Sequence, residues 1–138
     1  TELAPNKDPY QFRLAEAYAE NGENTLALQS FKEVLRLNPK DDLAHERMAN
    51  IYALEGNDIA ELEARLKAAE LDSSNPNHFY SLACYYARAG STDKALVSMG
   101  KSLEKGWKNK DHMNADPDLD SIRDSAAYKS MMSEFFKD

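Results

Sequence analysis

LAEAYAENG, residues 14–22, recurs in altered form as MANIYALEG at 48–56 and LACYYARAG at 82–90. Tyr18, Tyr52 and Tyr86 stand thirty-four residues apart, and so do Gly22, Gly56 and Gly90. Around the first copy the apolar residues fall at intervals of three and four, as Leu14, Ala17 and Tyr18 and then Leu28, Phe31 and Leu35. That is the period of a helix and not of a strand. Each copy therefore predicts two helices broken at its glycine, which takes the left-handed conformation that ends a helix at no steric cost. Asn24, Asp58 and Thr92 follow as expected N-caps of the second helices. Asp8-Pro9 and Asn75-Pro76 each place a capping side chain before a proline in the first turn. The expected helices run over 9–21, 25–37, 42–55, 59–71, 76–89 and 93–105, with the three tyrosines largely buried at equivalent sites.

The composition fits one soluble helical domain. A chain of 138 residues with 42% hydrophobic and 30% charged residues can fill a core and keep a solvated surface. A net charge of -7 and a pI near 5.0 speak against nucleic acid and anionic membrane as partners, because a phosphate-binding surface needs clustered Lys and Arg. Lys105, Lys108 and Lys110 form a patch too short to reverse that. The single cysteine, Cys84, makes no internal disulfide and names no redox compartment. No apolar run approaches the roughly 20 residues of a membrane-spanning helix. The chain begins at Thr1 and not at Met, which leaves room for an earlier leader or domain, and its residues name no compartment.

The repeated residues resemble the tetratricopeptide repeat (TPR) family, whose pattern is W-x2-L-G-x2-Y, then A-x3-F, then P over thirty-four residues. The first block is met by Leu14, Ala15 and Tyr18, by Met48, Ala49 and Tyr52, and by Leu82, Ala83 and Tyr86, with Phe79 in the place of the leading Trp. The second is met by Ala27 and Phe31 and by Ala95 and Met99, and Pro39 closes the first repeat. Small residues at Ala15, Ala49 and Ala83 let neighbouring helices approach while the tyrosines fill the gaps. The resemblance implies an all-α fold, a right-handed α-α superhelix of three helix-turn-helix repeats over 8–41, 42–75 and 76–109, followed by a capping segment over 110–138. Leu3 and Pro5 stand thirty-four residues before Leu37 and Pro39, so residues 1–7 read as the remnant of a preceding repeat or a linker. Weak self-association through that cut N-terminal face is expected.

Repeat two departs from the pattern. Glu61 and Arg65 occupy the positions of the small and the large apolar residue, beside Leu62 and Leu66. The expectation is a slightly rotated helix with Leu62 and Leu66 inward and Glu61 and Arg65 paired at the surface. After repeat three, DPDLDSIRDSAAYKSMMSEFF starts a helix at Asp116-Pro117 and continues as an amphipathic run with Tyr128, Met131, Met132, Phe135 and Phe136 on one face. It is similar to the DPDL-x-x-(L/I)-R terminal segment of bacterial members of the family. A helix near 126–136 is expected to cover the end of the array, around Leu96, Met99 and Leu103, with Trp107 anchoring the turn into the cap.

No catalytic or metal constellation emerges. His45, His78 and His112 share no H-x3-H or H-E-x-x-H spacing. Asn114, Asp116, Asp118 and Asp120 alternate like a calcium loop, but Leu119 and Ser125 stand where an EF-hand needs Gly and Glu, and helix capping accounts for them better. Cys84 has no CxxC partner or adjacent His and reads as a quiet thiol. No enzyme activity, cofactor or metal is therefore expected.

What the resemblance implies instead is a groove, lined by the first helices, for a peptide segment of a partner protein. Mapping its outward positions onto this chain gives Phe12, Arg13, Glu16, Glu46, Arg47, Asn50, Tyr80 and Arg88 as the candidate binding residues, with Leu43, Leu54 and Cys84 among their neighbours. The Lys and Asn set with which some members grip a chaperone C-terminus is missing at Phe12, Glu16, Arg47, Asn77 and Ser81, so that ligand is disfavoured. The leading function is a non-catalytic interaction scaffold. The alternative is a regulatory or substrate-recruiting module of a larger enzyme whose catalytic domain lies upstream.

Overall fold

A computed structural model describes the backbone over residues 9–137 and side chains over 10–137. The expected cap Asp8 and the remnant 1–7 lie outside the described residues; on the first helix, whose outer side is the face invoked for self-association, Tyr10 is exposed. The described residues form helices only: α1 (Pro9–Glu20), α2 (Asn24–Leu37), α3 (Asp42–Leu54), α4 (Asp58–Leu71), α5 (Pro76–Arg88), α6 (Thr92–Glu104), α7 (Lys110–Ala115), a 3-10 turn (Pro117–Leu119), α8 (Asp120–Arg123) and α9 (Ala126–Phe135). None of these helices is long and apolar enough to cross a membrane.

The repeated Tyr and Gly are two ends of one device. The amide of Glu23 donates to the carbonyl of Tyr18 at 2.9 Å, that of Asn57 to Tyr52 at 2.9 Å and that of Ser91 to Tyr86 at 2.8 Å. Between donor and acceptor the glycines turn the chain at φ 79°, 74° and 82°. This is the Schellman closure, which satisfies orphan carbonyls of the helix end and requires the left-handed residue to be one without a Cβ. A fourth copy falls outside the thirty-four-residue count: Trp107 donates to the Ser102 carbonyl at 3.0 Å across Gly106.

The second helices begin one residue earlier than expected. Asn57, not Asp58, caps α4 by accepting from the Ala60 amide at 3.2 Å, whereas Glu23 and Ser91 hold the cap positions of α2 and α6 without a side-chain bond. Asn75 caps α5 as expected, accepting from the Asn77 amide at 2.9 Å.

The described residues divide into two compact units, split between Asp72 and Ser73. In the first, α1 packs on α2 and α3 on α4 as antiparallel hairpins, with α2 against α3. The core is Ala15, Ala27, Phe31, Val34, Ala44, Met48 and Ile51, and Tyr18 and Tyr52 flank it half-buried instead of lying within it. In the second, α5 and α6 form a hairpin, and α8 and α9 lie against α6. Met113, Leu119, Ile122 and Tyr128 from the C-terminal segment join Ala83, Cys84, Met99 and Leu103 in one core. Met131, Met132 and Phe136 pack against it, as does a half-buried Tyr86. Phe135, expected on the same face, is 38% exposed, because ten residues of helix cannot aim all five side chains at one neighbour.

The reading of Glu61 and Arg65 as a surface pair is overturned. Glu61 is 0% and Arg65 6% exposed, as deep as Ala27 and Phe31 or Ala95 and Met99 at the equivalent positions, while Leu66 is exposed. The helix is not rotated. Arg65 donates through Nε to Glu61 at 2.8 Å, through Nη1 to Glu46 at 3.1 Å and through Nη2 to Asn50 at 3.3 Å. A hydrogen-bonded ion network thus fills the space that an Ala and a large apolar residue fill in the other two hairpins.

Candidate functional site

The face of the first unit made by α1 and α3 carries most of the candidate residues. Phe12 is half-buried, with its ring edge-on to Phe31 at 5.4 Å between centroids. The guanidinium of Arg47 stands 5.9 Å over the same ring, and its Nε donates to Glu16 at 3.1 Å. Helix geometry explains the grouping: Phe12 and Glu16 are one turn apart on α1, and Arg47 reaches both from α3. Arg47 and Glu16 remain more than a third exposed, so their pairing contributes little to folding. Arg13 is exposed, and Asn50, though held by Arg65, is exposed too.

Beside this cluster lies an open cleft of about 190 Å³. Phe31, Ile51 and Ala19 form its apolar walls, Glu16, Glu20 and Arg47 stand at its rim, and Leu54, 79% exposed, projects at one end. An apolar slot bordered by both signs of charge can take an aliphatic or aromatic side chain of a ligand whose own backbone and charges are satisfied at the rim.

Two candidates are corrected. Glu46 is 9% exposed and is consumed by the Arg65 network. Tyr80, in the second unit, is 6% exposed: its ring stacks on Trp107 at 4.0 Å and 11°, and its hydroxyl donates to Asp116 Oδ2 at 2.8 Å. The cause is the C-terminal segment, which folds back over α5 and brings Asp116 to a residue thirty-six positions earlier. Burial, followed by that hydrogen bond, pushes the Tyr80 hydroxyl well above its ordinary range and keeps it a donor. Arg88 stays partly exposed, 3.7 Å from Asp118 and over the ring of Tyr85.

The donors Cys84 Sγ, Asp116 and Asp118 lie within 4.8 Å of one another, a grouping absent from the sequence reading because 32 residues separate Cys84 from Asp116. Their chemistry is that of a hydrogen-bonded joint. Asp116 accepts from Tyr80, from the Cys84 thiol at 3.7 Å and from the Asp118 amide at 3.0 Å, and it caps the 3-10 turn as the sequence suggests. Burial, then the two carboxylates, pushes the Cys84 thiol far up. The thiolate is the reactive form, so Cys84 in the folded chain should react with a disulfide reagent at pH 8 at least about 100-fold more slowly than in denaturant. Equal rates would contradict its placement. Of the histidines, His78 is buried near Asn75, His45 is half-buried, and exposed His112 approaches Asp116 at 3.4 Å.

No family model matches the chain. A tetratricopeptide repeat and J domain-containing co-chaperone of Cryptococcus neoformans is 39% identical over 109 residues, 75% of this chain, and the chain spans only 17% of that relative's length. Among solved structures, MamA is 19% identical with a TM-score of 0.70, over 96% of this chain and 71% of that one. The secretion chaperone SycD of Yersinia enterocolitica, solved in complex with a peptide of the translocator YopD, is 14% identical with a TM-score of 0.68, over 91% of this chain and 92% of that one. Consecutive helical hairpins, each first helix closed by the same Tyr–Gly device, define a helical repeat protein. The chain belongs to the tetratricopeptide repeat family.

Proposed function

We propose that this chain is a protein-interaction module that holds a peptide segment of a partner on the α1/α3 face, through Phe12, Arg13, Glu16, Arg47 and Asn50. The observation that carries the reading is the apolar cleft beside the Phe12–Arg47–Glu16 cluster, which offers one desolvated anchor position and charges of both signs around it. The likeness to a co-chaperone, and to a chaperone solved with a peptide bound, supports it. The buried carboxylates and thiol serve internal bonds, which supports reading the chain as a binding module. With a net charge of -7, the partner is a protein and not nucleic acid or an anionic membrane.

A second reading keeps the binding face and changes its owner. The co-chaperone relative joins repeats to a J domain, which favours a recruiting module within a larger protein over a free-standing scaffold.

Arg47→Ala tests the binding face, because its exposed pairing leaves the fold nearly untouched. A peptide selected from a random library on the full chain should lose about 2 kcal/mol of binding, about thirtyfold in Kd, against this variant. If every selected peptide binds Arg47→Ala and Phe12→Ala as tightly as the unaltered chain, the assignment is overturned.

A further inference from the structure

In the second unit the turn after α6 and the end of α9 border an open pocket of about 520 Å³, within the size range of ligand sites. Its apolar surface comes from Leu103, Trp107, Phe135 and Phe136. Phe135 is the aromatic residue that the cap leaves exposed, and Trp107 is held in place by its stack on Tyr80. The rim is cationic: Lys108, Lys110 and Lys137 line the pocket, are exposed, and enter no ion pair among the described residues. The sequence shows Lys108 and Lys110 as part of a short basic patch; the fold brings Lys137 and the aromatic residues Trp107, Phe135 and Phe136 to the same pocket.

We propose that this pocket is a second docking site, taking an acidic peptide segment that inserts an apolar or aromatic side chain between Trp107 and Phe135 while its carboxylates meet the three lysines. Charge complementarity selects this occupant. Three cations with no ion pair among the described residues, on a chain of net charge -7, attract a short acidic segment within a Debye length of about 8–10 Å, whereas the whole molecule repels a polyanion or an anionic bilayer. Three lysines around an open pocket also fit a single inserted side chain better than a lipid surface, whose recognition uses larger basic clusters, about 4–8 residues, beside a projecting apolar face. The site shares no residue with the α1/α3 face, and its occupancy does not depend on Arg47.

Trp107 is the sole tryptophan, so its emission reports on this pocket alone. The full chain is titrated with a short peptide bearing a central Leu-Phe pair between glutamates, and with the same peptide carrying lysines in their place. The expected result is a saturable change in Trp107 emission with the acidic peptide only. Affinity should fall at least about tenfold when Lys108, Lys110 and Lys137 are all changed to Glu, with the circular dichroism spectrum unchanged, and Arg47→Ala should leave it intact. The proposal is overturned if the acidic peptide produces no saturable change, if the triple variant binds it equally well, if phosphatidylserine vesicles give the same response, or if emission changes with protein concentration alone, which would make a second copy the occupant.

Discussion

Replacing Arg65 with Leu should destabilise the chain by about 3–5 kcal/mol, the cost of breaking a buried ion network from one side. Arg65 is bonded to Glu61 and Glu46 through separate nitrogens, and removing it takes a cation away from two buried carboxylates in a low-dielectric interior. The converse experiment separates charge from shape. Glu61→Ala with Arg65→Phe restores the Ala and Phe that stand at residues 27 and 31, and Glu46→Gln removes the remaining charge. This triple variant should recover the loss and end between unchanged and about 1–4 kcal/mol more stable than the original, since ion pairs inside a core rarely outperform good packing. Urea denaturation measures both. A single Arg65→Leu variant with an unchanged midpoint would mean that the network is solvated in solution.

Deleting residues 116–138 should be more damaging still. It removes Leu119, Ile122 and Tyr128, each buried to within 2% of completely, together with Asp116, which holds the Tyr80 hydroxyl. At roughly 1.5–3 kcal/mol per fully buried side chain, the loss is about 5–9 kcal/mol, comparable to the whole stability of a small domain. Met99, Leu103, Tyr80 and Cys84 then face water, and the second unit should unfold or aggregate. Light scattering and a thermal scan decide the matter; a soluble deletion variant with an unshifted transition would show that the segment is not part of the core.

What could be read beforehand follows from the range of each interaction. The Tyr–Gly period is legible because the Schellman closure is local, spanning six residues, and strongly favours glycine at its left-handed position. The inward faces of α2 and α6 are legible for the same reason, since Ala27 with Phe31 and Ala95 with Met99 mark one side of a helix by spacing alone. The same spacing misleads at Glu61 and Arg65. An i, i+4 ion pair reads identically on a surface and in a core, and what distinguishes them is Glu46, on another helix nineteen residues from Arg65. Tyr80 and Glu46 qualify as groove residues by position, yet one is buried by the C-terminal segment and the other by the ion network. Neither contact leaves a local trace. Among the features missed, α7 did have a signal: Asn109 caps it by accepting from the His112 amide at 3.0 Å, and Met113 follows at the right interval to turn inward.

The most direct test of the central claim is an amide chemical-shift map of the isotopically labelled full chain titrated with a library-selected peptide. The account predicts that the largest shifts fall on α1 and α3, at Phe12, Glu16, Arg47 and Asn50, with α2 and α4 changing little. Shifts concentrated instead around Lys32 and Lys67, on the second helices of the first two hairpins, would contradict it and move the binding surface to the opposite elements of the fold.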